Sequence, residues 1–287
     1  MNFKNQNVPF SVCWTITTQC NQNCDFCYAV KNIEELNLSA NFKILNKLVD
    51  SGVKKISFVG GEPLLYSDLF SLIKKAHNYH IITSLTTNAI LMDNSLLDKY
   101  SDYLDWITFS LDSVNNDIQE KMTREGNHVD KVINLLNRIN EKGYNIDIKI
   151  NTIASKINNI YIEEMIPLIA KYDLIKRWKI HQFTPLRNNA KNNKEKFYIT
   201  PDEFNNLKNE ILNNKMLKDL NVRVNFSGEE ELEKSYFVID PNGDVNGNNG
   251  INKIGNALTN SICELWKKIE GKEDHFKRYK KVMDIWK

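Results

Sequence analysis

From Ser11 to Thr184, short runs of β-branched and aromatic residues alternate with stretches in which apolar residues recur every three or four positions. The first spacing is that of a strand, the second that of a helix with one buried stripe. On this basis strands fall over Ser11–Thr18, Lys54–Val59, Ile81–Thr86, Leu104–Leu111, Ile146–Ile153 and Arg177–Phe183. Between them come a helix capped by Ser39, with Phe42, Leu45, Leu48 and Val49 along one side and Gly52 as its stop, a helix after Ser67 and one near Ser95. Two more follow, over about His128–Lys142, closed by Gly143, and over Ile160–Tyr172. Six strands joined by helices require parallel pairing and right-handed crossovers, which leaves a partial (β/α) barrel or an open doubly wound sheet.

The strand faces separate these two. A parallel sheet covered by helices on both sides reads as continuous apolar runs. Here Ile146, Ile148 and Ile150 alternate with Asp147, Lys149 and Asn151, and Ile107, Phe109 and Leu111 with Thr108, Ser110 and Asp112. Lys55 shares a face with Ser57, and Lys179 with His181. Polar faces on several central strands are costly unless partnered, which points to a ligand-filled lumen and hence to the partial barrel. Beyond Phe183 the pattern changes. Asn188–Lys196 reads as a mobile polar loop, Thr200-Pro201-Asp202-Glu203 opens a helix and Val222–Phe226 is extended. Pro241-Asn242-Gly243 turns a hairpin between Tyr236–Ile239 and Asp244–Asn248. The expected fold is α/β: a partial (β/α)6 barrel over residues 1–185, then an extension over 186–287 with loop, helix, hairpin and a helical basic tail that closes the site.

Composition excludes several classes. With 41% hydrophobic and 10% aromatic residues among 287, the chain can build a large core and is not wholly disordered. Lys and Arg number 38 against 36 Asp and Glu, so no whole-molecule charge draws it to nucleic acid or an anionic membrane. Met1–Phe10 lacks an apolar leader and no long apolar run appears, so a cytoplasmic chain is expected. Three of the 5 Cys, namely Cys20, Cys24 and Cys27, share one short segment, and such clustering suggests metal rather than disulfides. The spacing C-x3-C-x2-C can hold three irons of a cubane and leave one iron open to a small molecule. A closed zinc site needs a fourth ligand, which no nearby His supplies; zinc and redox-sensing thiols remain the alternatives. Cys13 and Cys263 stand alone and read as small buried hydrophobes.

The cysteine loop with Phe26 before its last Cys, followed by Gly60-Gly61-Glu62-Pro63 after the second strand, resembles the radical S-adenosylmethionine (SAM) superfamily. The resemblance implies a 4Fe-4S cluster on Cys20, Cys24 and Cys27. Its open iron chelates the methionine end of SAM, with Gly60, Gly61 and Glu62 offering backbone to the amino group, and reduction releases a 5'-deoxyadenosyl radical. Further segments resemble the viperin family of antiviral nucleotide dehydratases, from about Ser11 to Asn248: Lys55-Ile-Ser-Phe, Ser110-Leu-Asp-Ser113, Arg124 with Asn127-His128, Lys149-Ile-Asn151, Arg177-Trp-Lys179 and Ser235-Tyr-Phe. By that resemblance Asn88, Ser110 and Asn151, together with Arg177, face SAM. Lys55, Arg124, Lys149, Arg177 and Lys179 hold a triphosphate, and Tyr236 approaches the nucleotide ribose as the catalytic candidate. The implied activity is a 3',4'-didehydratase acting on CTP, UTP or GTP. It is served by an external electron donor of flavodoxin or ferredoxin type, works as a monomer, and has no nucleic-acid or membrane partner.

The chain departs from the family at Val59, where a small hydroxyl residue is usual, and at Ala89, where Gly is common. The segment between Arg124 and His128 is shorter than in animal members, and their amphipathic N-terminal helix is not expected. A radical SAM peptide-modifying or activating enzyme is the runner-up, although only Cys263 remains for its usual auxiliary cluster. A noncatalytic metal-binding or redox-sensing protein is the third reading. It leaves the polar faces at Ser110, Asn151, Lys149 and Lys179 unexplained.

Overall fold

The computed structural model describes residues 7–124, 126–228, 236–247 and 252–283. Ten strands follow in chain order: β1 (Ser11–Thr17), β2 (Lys55–Gly60), β3 (Ile82–Thr87), β4 (Trp106–Ser110), β5 (Asp147–Ala154), β6 (Ile175–Gln182), β7 (Arg223–Ser227), β8 (Val238–Ile239), β9 (Asp244–Gly247) and β10 (Asn252–Asn256). The chain forms two compact units that interleave along the sequence. One comprises residues 1–19, 31–85 and 230–287, the other 20–30 and 86–229. The cysteine loop therefore belongs with the chain beyond residue 86 rather than with the strand that leads into it.

In the first unit β1, β2 and β3 pair in parallel, and β8 pairs in parallel with the other side of β1. The hairpin expected around Pro241-Asn242-Gly243 forms as antiparallel β8 and β9, and β10 continues it. Its first strand is thus part of the main sheet; the amide of Cys13 donates to Phe237 O (2.9 Å). The helix Leu38–Ser51 buries Ile44, Leu45 and Leu48 and ends at Gly52, whose φ of 88° is the left-handed stop that glycine adopts without penalty. Its cap is Asn37, whose side chain accepts from the Ala40 amide, and not Ser39, which lies inside the first turn. Both residue types cap well, so sequence alone left the start ambiguous by two positions.

The helix Lys272–Met283 corrects the expected closing tail as far as it is described. His275 Nε2 accepts from the amides of Phe10 (3.1 Å) and Ser11 (3.3 Å), and its ring packs on Trp266, Phe276 and Tyr279. Those amides open β1, at the opposite end of the strand from Thr17 and the Gly60-Gly61 turn that meets it. This helix seals the strand's entrance; Trp286 lies outside the described residues.

In the second unit β4, β5, β6 and β7 form a parallel sheet in that order. The segment expected only to be extended thus becomes a further parallel strand. The helix His128–Lys142 ends at Gly143 as expected, with φ 64°. A short helix, Asn116–Lys121, precedes it and was not anticipated. The helix expected over Ile160–Tyr172 divides into a 3-10 stretch, Asn159–Met165, and an α-helix, Ile166–Lys171. Pro167 is the reason, because it has no amide to donate and is tolerated in a first turn. Pro201–Asn213 begins with the full capping box of Thr200 and Glu203. The polar stretch from Asn188 is not a loop but two short helices, Asn188–Asn192 and Lys194–Phe197.

Candidate active site

A loop that leaves a strand loses its ladder partners, and its carbonyls need donors from elsewhere. For the cysteine loop those donors are the side chains of the two short helices and the turn before them. Arg187 Nε donates to Tyr28 O (2.9 Å), Asn188 Nδ2 to Ala29 O (2.6 Å), Asn189 Nδ2 to Cys24 O (3.2 Å) and Asn193 Nδ2 to Asp25 O (3.3 Å). Thr123 Oγ1 accepts from the Asp25 amide (2.7 Å). Cys20 is exposed, Cys27 half-buried and Cys24 buried.

N–H groups already point at the sulfurs. The Gln22 amide lies 3.4 Å from Cys20 Sγ, the Ala29 amide 3.4 Å from Cys27 Sγ, and Asn88 Nδ2 3.8 Å from Cys20 Sγ. Such donors favour thiolates and tune the potential of a cluster bound to them. Burial pushes the Cys24 thiol up to about 11, opposed by the charge of Arg124, so iron binding must displace its proton. Among the described residues no three His, Cys, Asp or Glu side chains converge as a single metal ion requires. A cubane asks for something else, one thiolate on each of three irons, and the sulfur-directed amides suit that donor set.

Arg124 is buried. Its Nε donates to Asp112 Oδ2 (2.5 Å), and its guanidinium lies over the Phe26 ring (5.0 Å). The structure therefore commits its Nε within the protein, beside the cysteine loop. Asn88 also turns toward that loop, donating to Asn21 Oδ1 (2.8 Å), while His128 Nε2 lies 2.8 Å from Asn88 O. Gln119 Nε2 holds the other ring nitrogen of His128 (2.6 Å). Ala89 sits fully buried at φ 70°, a left-handed conformation that costs a residue with a Cβ about 1 kcal/mol or more.

Burial and the nearby Arg124 charge push the His128 pKa down to about 3. Unfolded, the same imidazole takes a proton below about pH 6.5. The unfolded chain then binds more protons between those values, so stability falls as pH drops from 6.5 toward 3. The expected loss between pH 7 and pH 5 is about 2 kcal/mol, read from urea unfolding midpoints. His128→Gln should flatten that dependence, and an identical slope in the variant would show that other groups carry it.

In the first unit, Gly60-Gly61-Glu62 folds back against the end of β1. The Gly61 amide donates to Thr17 O (2.9 Å) and the Glu62 amide to Gln19 O (2.8 Å). A Cβ on Gly60 would stand 2.5 Å from Thr17 O, and one on Gly61 2.2 Å from Gln19 O. Neither position can carry a side chain without a backbone shift. Glu62 is fully buried and caps the short turn Pro63–Leu65 through Leu64 N (3.2 Å). Lys55 and Ser57 share one face of β2, and register places Cys13 opposite Ser57. Cys13 thus lies half-exposed on the polar face, not in the core as expected. Tyr236 is half-buried ahead of β8; its neighbour Ser235 lies outside the described residues.

The sheet of the second unit aligns the remaining candidates. Ser110 pairs with Asn151, Asn151 with Lys179, and Lys179 with Asn225. A register shift after Ile148 sets Lys149 opposite Arg177, and Arg177 lies opposite Arg223. Paired positions in a parallel sheet share a face, so these are two polar rows one pleat apart. The other face meets helices: Thr152 Oγ1 reaches Met165 Sδ, Trp178 is fully buried, and Phe226 packs edge-on against Phe204. Lys179 is only 6% exposed, and Asn151 Oδ1 is buried with no hydrogen-bond partner among the described residues. Arg223 and Asn225 were missed at the level of sequence, although Arg223 and Asn225 alternate with Val224 and Phe226 as in β5.

The radical SAM superfamily profile matches residues 14–172. The chain is 32% identical over 254 residues to an S-adenosylmethionine-dependent nucleotide dehydratase of Flammeovirga pacifica, across 83% of this chain and 82% of that protein. A protein of the same description from Lacinutrix mariniflava is 31% identical across 81% of this chain and 49% of its own length, so the chain spans about half of that relative. Among solved structures, Streptococcus suis SuiB bound to its precursor peptide SuiA aligns with a TM-score of 0.75 at 20% identity, over 94% of this chain and 68% of that one. At that identity the likeness is one of fold alone. The chain belongs to the radical SAM superfamily and, within it, to the viperin-like family of nucleotide dehydratases.

Proposed function

We propose that this protein converts a nucleoside triphosphate to its 3'-deoxy-3',4'-didehydro analogue, as an antiviral chain terminator. The observation that carries the reading is the sheet register, which sets Ser110, Asn151 and Lys179 in one row and Lys149 and Arg177 in the next on the same face of the second unit. A 4Fe-4S cluster on Cys20, Cys24 and Cys27, with SAM beside it, would supply the radical chemistry that removes a hydrogen atom from the ribose 4' carbon, and an external donor's electron together with a proton would let the 3' hydroxyl leave as water.

The chain's own residues bind and orient. Cys20, Cys24 and Cys27 hold the cluster. Gly60, Gly61 and Glu62 present backbone to the methionine end, and Ser110, Asn151 and Asn88, with Arg177, face the rest of SAM. Lys55, Lys149, Arg177 and Lys179 offset the charge of the phosphates, and burial strengthens the contact of Lys179 above the others. Arg124 supports this arrangement through Asp112 and Phe26 rather than as a free phosphate hook. Tyr236 stands against the ribose. An external one-electron donor of flavodoxin or ferredoxin type completes the cycle, and the setting is the cytoplasm; no helix among the described residues is long and apolar enough to cross a membrane.

The test is to incubate cluster-loaded protein with SAM, dithionite and CTP, UTP or GTP in turn, and to weigh the products. One nucleotide should return lighter by one water, with 5'-deoxyadenosine formed alongside. Recovery of all three intact, with SAM cleavage indifferent to them, would remove the dehydratase reading.

A further inference from the structure

We infer that Arg223 is a third cation of the phosphate row, and that through it the site distinguishes a triphosphate from shorter phosphate chains. The inference deepens the nucleotide reading above and rests on it. Lys149, Arg177 and Arg223 stand side by side on β5, β6 and β7. Neighbouring strands lie roughly 4.8 Å apart, so the row spans about 10 Å from first to last Cα. Like charges on adjacent strands repel, and a polyanion laid along the row would offset that repulsion.

Three observations direct Arg223 to that task. Phe226 packs on Phe204, which turns Val224 and Phe226 toward the helices and leaves Arg223 and Asn225 on the polar face. Arg223 makes no ion pair among the described residues, and its Nη1 is buried with no hydrogen-bond partner. Arg177, beside it, donates its Nε to the neutral Asn225 Oδ1 (2.8 Å), a contact that leaves the guanidinium's charge in place. A guanidinium left with an empty buried donor is suited to two phosphate oxygens at once, through the geometry of its fork. Its place at the outer end of the row gives it the part of a phosphate chain farthest from Lys149.

The probes are inorganic tripolyphosphate and pyrophosphate, titrated calorimetrically into cluster-loaded wild type and Arg223→Gln. Nucleotide-stimulated 5'-deoxyadenosine release is measured in parallel. Tripolyphosphate binding should weaken by about 10-fold or more in Arg223→Gln, pyrophosphate binding by about 3-fold or less, and the wild-type preference for triphosphate over diphosphate should shrink accordingly. Arg223→Met, which keeps the apolar stem, serves if Arg223→Gln does not fold. Equal tripolyphosphate binding in wild type and variant overturns the role of Arg223 while leaving the dehydratase reading intact. A wild type that neither binds tripolyphosphate nor responds to any nucleoside triphosphate overturns both.

Discussion

Replacing any one of Cys20, Cys24 or Cys27 by Ala should leave the protein without an iron–sulfur chromophore and without detectable 5'-deoxyadenosine release. The wild type should take up about four irons and four sulfides per chain on anaerobic reconstitution. The effect is expected to be all-or-none because each thiolate serves a different iron, so losing one removes a corner and leaves no spare ligand nearby. The remaining cysteines cannot substitute: Cys13 lies within β1, paired with Ser57, and Cys263 lies on the helix Ile262–Lys267. Iron and sulfide analysis together with the visible spectrum would check this. Stoichiometric zinc with no iron chromophore in the wild type would end the enzyme reading.

Lys179→Met should retain the cluster and lose most of the nucleotide's stimulation of SAM cleavage. Lys179 is the most buried of the four phosphate candidates on β2, β5 and β6, at 6% exposure. Removing a desolvated cation leaves the anion it met without compensation, which costs on the order of 2 to 4 kcal/mol, or roughly 30- to 1000-fold in binding. Methionine nearly preserves the volume, so the loss reports charge rather than packing. Calorimetric titration of the triphosphate and single-turnover release of 5'-deoxyadenosine measure it. Unchanged affinity and stimulation would move the phosphates away from this row.

The alternation of barrel strands and helices was legible because each carries its own period, and the stops at Gly52 and Gly143 because a left-handed φ all but demands glycine. The spacing of Cys20, Cys24 and Cys27 is what pointed to metal, whereas the SAM contacts came from the family resemblance alone. What stayed hidden depended on partners far away in sequence. Nothing local marks Asn189 as helical, since its role is to hold a carbonyl 165 residues earlier. Arg124 carries the same lesson: sequence supplied its charge, but Asp112 and Phe26, which engage it, become neighbours only in the fold. The tail looked like a lid because it is basic and aromatic, whereas the side chain that anchors it is His275, and what it meets is a pair of free amides at the start of β1. Arg223 was overlooked for a simpler reason. The alternation of Arg223 and Asn225 with Val224 and Phe226 gains meaning only once β7 pairs with β6, a partner the local sequence does not reveal.

The clasp of Arg187, Asn188, Asn189 and Asn193 on the cysteine loop also sets an order of events in the life of the chain. The side chains that shape the loop of Cys20 to Cys27 follow it in the chain by some 160 residues. At about 5 to 20 residues per second, that interval is on the order of ten to thirty seconds during which three thiols are present with no loop geometry to present them. On this reading the loop is ready for its cluster only after the segment Arg187 to Asn193 has been made. Until then the nascent thiols depend on the reducing conditions around them and on chaperoning, not on the protein's own architecture.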